Sequence, residues 1–132
     1  MSGLFYIYMK KNWFAILLVI FALVIVVLAD SGHLPRSIRN LYDFPCGDKV
    51  GHFLLMGLLS YVLNRTALAS RANLKPATLI WIVSLTLAFF VTLEELSQQF
   101  FPRRTFSLLD LLCSYAGIVF FGWLAWRSDR EK

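Results

Sequence analysis

Four apolar stretches follow one another along the chain, separated by short polar segments. Trp13 to Ala29 carries no charge, Val50 to Leu63 is interrupted only by His52, and Pro76 to Leu93 and Leu111 to Trp126 are uncharged. Roughly 20 apolar residues cross a hydrocarbon core of about 30 Å. The pattern therefore predicts four membrane-spanning helices over about 12–29, 48–64, 76–95 and 107–126. The second reaches that length by taking Asp48 and Lys49 as its outer end, and the fourth by taking in the turn from Ser107 to Asp110. Lys10 and Lys11 before the first run also fit the start of a signal peptide, with a small-residue cleavage site near Ala29. The run is longer than a usual signal core, so an uncleaved helix is the expectation.

The connections add detail. Between Asp30 and Gly47, Pro35-Arg36-Ser37-Ile38-Arg39-Asn40-Leu41-Tyr42 places Ile38, Leu41 and Tyr42 on one helical face, and Pro35 suits a first helical position. This predicts a short interfacial helix with Arg36 and Arg39 toward head groups. Pro45 and Gly47 then break the chain, and the second connection, Asn64 to Lys75, is short and basic. No internal repeat or low-complexity tract is present. The expected fold is all-α, an integral membrane four-helix bundle with an interfacial helix in its first outer loop. It forms a single domain over residues 1–132.

Composition agrees: of 132 residues, 58% are hydrophobic, and the mean hydropathy is +0.65. The net charge of +5 reads as an orientation signal. With the N-terminus inside, Lys10, Lys11, Arg65, Arg71, Lys75, Arg127, Arg130 and Lys132 fall on the inner side, against Arg36, Arg39, Lys49, Arg103 and Arg104 outside. The positive-inside rule then places both termini in the cytoplasm. Asp30, Asp43, Asp48, Glu94, Glu95 and Asp110 are all outer, so the inner face attracts anionic lipid and the charge is no nucleic-acid footprint. Tyr6, Tyr8, Trp13, Trp123 and Trp126 suit the inner interfacial belt, and one of Arg103 and Arg104 is expected to snorkel to head groups.

Ionisable residues at a membrane boundary are costly and usually have partners, so the outer ends carry the candidate chemistry. Asp48 and Lys49 lie four and three residues before His52, on one face of the second helix. Gln98 follows Glu95 by three and Glu94 by four, above a face formed by Val91, Leu87 or Ala88, and Ser84. On the last helix Ser107, Asp110, Ser114, Gly117 and Phe121 form a stripe of mainly small and polar residues, suited to close helix contact. His33, beside Gly32 and near Pro35, reads as solvated. Cys46 and Cys113 both fall toward the outer side, where a disulfide is conceivable, with free thiols the default.

The pattern Asp48-Lys49-x-x-His52, then Glu95-x-x-Gln98-x-x-x-Pro102-x-Arg104-x-x-Ser107-x-x-Asp110, followed by Gly117, resembles the VanZ-like family of small bacterial membrane proteins. The likeness covers roughly Asp48 to Gly122. It implies residence in the bacterial inner membrane and, for some members, low-level resistance to the lipoglycopeptide teicoplanin. One position departs: the family often carries Asn four residues after the Asp, where this chain has Ser114.

Three readings stay open at this point. In the first, Lys49, His52 and Arg104 seat an anion, with Asp48, Glu95 and Asp110 holding those cations. Gln98 and Ser107 complete the pocket. Ligands would be an anionic lipid, a lipid-linked cell-wall precursor or a lipoglycopeptide. In the second, His52, oriented by Asp48, acts as general acid or base with Glu95 or Asp110 on a lipid-linked substrate, and Arg104 stabilises a developing anion. Ser97, Ser107 and Cys113 show no nucleophile motif, and a metal set of His52, Asp48, Glu95 and Asp110 has low specificity. No cofactor or metal is expected, and no nucleic-acid partner. In the third, the polar ends only tie helices together, as a structural or partner subunit.

Overall fold

The structure, a computed structural model, describes residues 2–41, 44–70, 73–102 and 104–131, with side chains for these except 2–11 and Asp30. Expectations resting on Tyr42, Asp43, Arg71, Arg103 and Lys132, and on the side chains of Tyr6, Tyr8 and Asp30, lie outside the described residues. The elements are α1 (Ser2–Ser31), α2 (Arg36–Leu41), α3 (Gly47–Ser70), α4 (Pro76–Ser97), which runs on as a 3-10 turn over Gln98–Phe100, and α5 (Leu108–Arg130). Among the described residues there is no strand. α1, α3, α4 and α5 are long and apolar enough to cross a membrane. They leave an exposed apolar surface, including Phe14, Leu17, Phe21, Trp81, Leu85, Phe89, Phe90, Leu112 and Val119, far larger than water tolerates on a monomer.

All four long helices outrun the apolar runs that predict them, α1 and α3 by most. α1 reaches back to Ser2 because nothing between Ser2 and Lys11 breaks a helix, and adding residues to an existing helix is easy. α3 continues past Leu63 to Ser70, burying Leu68 and bringing Arg65 within 4.0 Å of Asp129. A charge ends an apolar run but not a helix. α4 begins at Pro76, whose missing N–H costs nothing at a first helical position. α2 starts one residue after Pro35, whose carbonyl accepts from the Ile38 and Arg39 amides.

α3 and α5 run parallel and form the spine, with α4 packed on both and α1 lightly on α3. A methyl group at Gly117 would run into the Phe53 carbonyl, and one at Gly57 into the Phe121 ring. The two backbones meet there only because both residues lack a side chain. Toward the far end, the Ser60 hydroxyl donates to the Ile118 carbonyl at 2.8 Å, and Asn64 Nδ2 donates to the Ser60 carbonyl at 2.9 Å. Ala22, Leu59, Leu87, Val91, Leu111 and Ile118 form the apolar core. The Thr92 and Tyr115 hydroxyls hydrogen-bond between α4 and α5.

Overpacking a close contact costs typically about 1–3 kcal/mol. Gly117→Ala should lower the melting temperature in detergent, measured by circular dichroism. Gly51→Ala, which adds its methyl to open space on the same spine, should leave it unchanged or raise it slightly.

Candidate functional site

Because α3 and α5 begin at the same end, their first turns stand side by side, with Asp48 in one and Asp110 in the other. Helix N-termini favour carboxylates. Lys49 Nζ sits between them, 3.3 Å from Asp48 Oδ2 and 3.3 Å from Asp110 Oδ1. Asp110 Oδ1 is buried and has that ion pair but no hydrogen bond. Its other oxygen lies 3.8 Å from His52 Nε2. The second ring nitrogen, Nδ1, is 3.3 Å from the Ser114 hydroxyl. His52 thus stands between a carboxylate and a hydroxyl that are one turn apart on α5.

α4 ends where α3 and α5 begin, so Glu94 and Glu95 lie at a helix C-terminus, where exposed carbonyls disfavour negative charge. Specific donors compensate. Glu95 is fully buried, and its Oε1 accepts the Ser107 backbone N–H at 2.9 Å, while Gln98 Nε2 lies 3.4 Å from Oε2. The same Gln98 nitrogen donates to Glu94 Oε1 at 2.8 Å, and that oxygen is 3.9 Å from Arg104 Nη2. The Ser107 hydroxyl accepts the Asp110 amide at 3.3 Å and caps α5. Ser107 therefore joins the two halves of the cluster, through its amide to α4 and its hydroxyl to α5.

All eight candidate residues, Asp48, Lys49, His52, Glu95, Gln98, Arg104, Ser107 and Asp110, fall in this one network. Two of their assigned pairings differ from the sequence reading. His52 takes its carboxylate from Asp110 across the α3–α5 seam, whereas Asp48 engages Lys49. Glu95 holds the backbone ahead of α5, and Glu94 is the carboxylate 3.9 Å from Arg104. Ser114 and Glu94 join the network beyond those eight. Ser114, one turn beyond Asp110 on a small-residue stripe, reads as packing until His52 is placed against it. Glu94 had a usable signal, its four-residue spacing to Gln98.

The network has a dry floor and a wet rim. Glu95, Gln98 and Ser114 are buried, while Lys49 and Arg104 are partly exposed and the Asp48 side chain is 51% exposed. Among the described residues of the network, four carboxyl groups face two permanent cations and one imidazole. Cys46 and Cys113 are unpaired, and His33 is exposed. Among the described residues, no group of three His, Cys, Asp or Glu is placed to hold a metal ion. No family model, no curated protein and no solved structure matches the chain.

Stranding the Ser107 amide, whose acceptor is Glu95 Oε1, costs about 1–3 kcal/mol. Glu95→Ala should lower the melting temperature and speed proteolysis of the segment between α4 and α5. Glu95→Gln keeps an acceptor for Ser107 and should retain most of the stability.

Proposed function

We propose that this chain is a VanZ-like protein of the bacterial cytoplasmic membrane, with both termini in the cytoplasm. Its ionic network then faces outward and binds the head group of an anionic amphiphile. Lys49 and Arg104 take the ligand's phosphate or carboxylate, and Asp48 takes its hydroxyl or amino donors. An anionic lipid, a lipid-linked cell-wall precursor and a lipoglycopeptide of the teicoplanin type share this chemistry, and binding of the last two affects glycopeptide susceptibility. The observation that carries the reading is the meeting of all eight motif residues at one end of the bundle, over a base too buried to rearrange freely. A structural tie alone would not require Lys49, Arg104 and Asp48 at the accessible rim.

The assay is binding of a labelled anionic lipid or lipid-linked precursor to protein in nanodiscs. Lys49→Gln and Arg104→Gln, which keep a donor for Asp110 and Glu94, should each weaken binding roughly tenfold, the scale of one charge-assisted bond at about 1.5–3 kcal/mol, with the protein still folded by circular dichroism. Unchanged affinity in both variants would discard the reading and leave the network a structural tie.

One observation favours a second reading, acid–base catalysis on a lipid-linked substrate. His52 has a carboxylate oxygen of Asp110 3.8 Å from one ring nitrogen and the Ser114 hydroxyl 3.3 Å from the other, partners of the kind that orient an imidazole for proton transfer. Ser114 is fully buried, so the geometry suits His52 as the proton carrier and not Ser114 as a nucleophile. Under this reading, His52→Gln abolishes turnover of a lipid-linked phosphate by the purified protein while head-group binding persists. Absence of any turnover by the unmodified protein removes it.

A further inference from the structure

At the end opposite the ionic network, α4 and α5 part around a cavity of about 280 Å³ lined by Ala77, Ile80, Trp81, Val119, Trp123 and Trp126, with Ser84 and Gly122 between them. The space exists because small residues stand where the two helices face each other. A side chain at Gly122 would come within 3.3–3.4 Å of Ser84 Oγ, Asn64 Nδ2 and Ser60 Oγ, so the inner wall is closed. The remaining walls are hydrocarbon and indole. Such a groove on a membrane-exposed surface suits a flexible hydrocarbon chain.

The charge at its mouth selects the head group. The Arg127 guanidinium lies 5.5 Å over the Trp123 ring and the Arg130 guanidinium 4.9 Å over the Trp126 ring. Both rings line the groove, so both cations are held at its edge. Lys75, two residues before Ala77, is exposed at the start of α4. Arg127 shares its charge with Glu131, at 3.1 Å, while Arg130 has no carboxylate partner among the described residues. Cations near a membrane surface each attract anionic lipid by about 1 kcal/mol. We propose that the groove between α4 and α5 holds one acyl chain of an anionic phospholipid, whose phosphate is met by the basic residues at its mouth. This site is distinct from the ionic network and lies at the other membrane face.

The chain's four tryptophans allow a direct test. Trp81, Trp123 and Trp126 line the groove, and Trp13 lies on α1, outside it. Trp13→Phe confines the fluorescence to the three tryptophans that line the groove. That protein is reconstituted in phosphatidylcholine vesicles containing increasing fractions of phosphatidylglycerol or phosphatidylcholine brominated on the acyl chain, a quencher of indole. Brominated phosphatidylglycerol should reach half-quenching at a mole fraction about fivefold lower than brominated phosphatidylcholine, as about 1 kcal/mol requires. Ala77→Phe, added on the same background, fills the groove and keeps every charge, so it should remove the preference. Equal quenching by the two lipids overturns the proposal. So does a preference that survives Ala77→Phe, because the anionic lipid is then merely annular.

Discussion

The contact between α3 and α5 at Gly57 and Gly117 is the constraint on which the rest of the molecule depends. In hydrocarbon, helices gain little from burying apolar side chains, since lipid tails are equally apolar. Association there rests on close packing and interhelical hydrogen bonds. Here the Phe53 carbonyl meets the space over Gly117, and the Phe121 ring fills that over Gly57. This approach fixes the distance between the two parallel helices near their middle. It brings the first turns of α3 and α5 within ion-pair range, and it places Ser60 under the Ile118 carbonyl at 2.8 Å. Widening the seam by one methyl would separate Lys49 from Asp110 and His52 from Ser114 together.

The ionic network shows how hydrogen-bond donors make a buried carboxylate tolerable. Taking an ionised group out of water costs several kcal/mol even after relaxation. Glu95 has the further disadvantage of a helix C-terminus. Its compensation is the Ser107 amide with the Gln98 side chain, and the same Ser107 caps α5. The segment between α4 and α5 is thereby anchored at both ends of one residue. The position of Asp110, and through it those of Lys49 and His52, follows from where that anchor sits. Removing one member disturbs groups on three helices.

Much of this architecture was legible in the sequence because membrane helices obey few rules. Run lengths located the four long helices, and three- and four-residue spacings gathered Asp48, Lys49 and His52 at one helix end and Glu95 with Gln98, without giving His52 its carboxylate, Asp110. What they could not show was which group faces which across a seam. Glu94 and Glu95 are adjacent and differ only in the direction a helix turns them. Ser114 in a stripe with Gly117 looks like a residue chosen for size, and its contact with His52 appears only once α3 is laid beside α5. Helix ends were blurred for a related reason: Lys10 and Arg65 mark limits of hydropathy, while the backbone continues wherever no residue breaks it. The groove beside Trp123 was invisible, because it consists of side chains that are missing at Gly122 and short at Ala77 and Ser84.

The seam also bears on what the two ends can do. Polar groups line it near both faces, His52 with Ser114 at one and Ser60 with Asn64 toward the other. A proton or ion moving between them would need a relay of groups at hydrogen-bond distance. The level between Ser114 and Ser60 is instead occupied by Gly57 against the Phe121 ring and Gly117 against the Phe53 carbonyl, whose closeness leaves no room even for a methyl group. The contact that holds the bundle together therefore also divides it. The hydrogen-bonded polar groups at the two ends, His52 with Ser114 and Ser60 with Asn64, are thereby kept apart, and each end is organised by its own contacts.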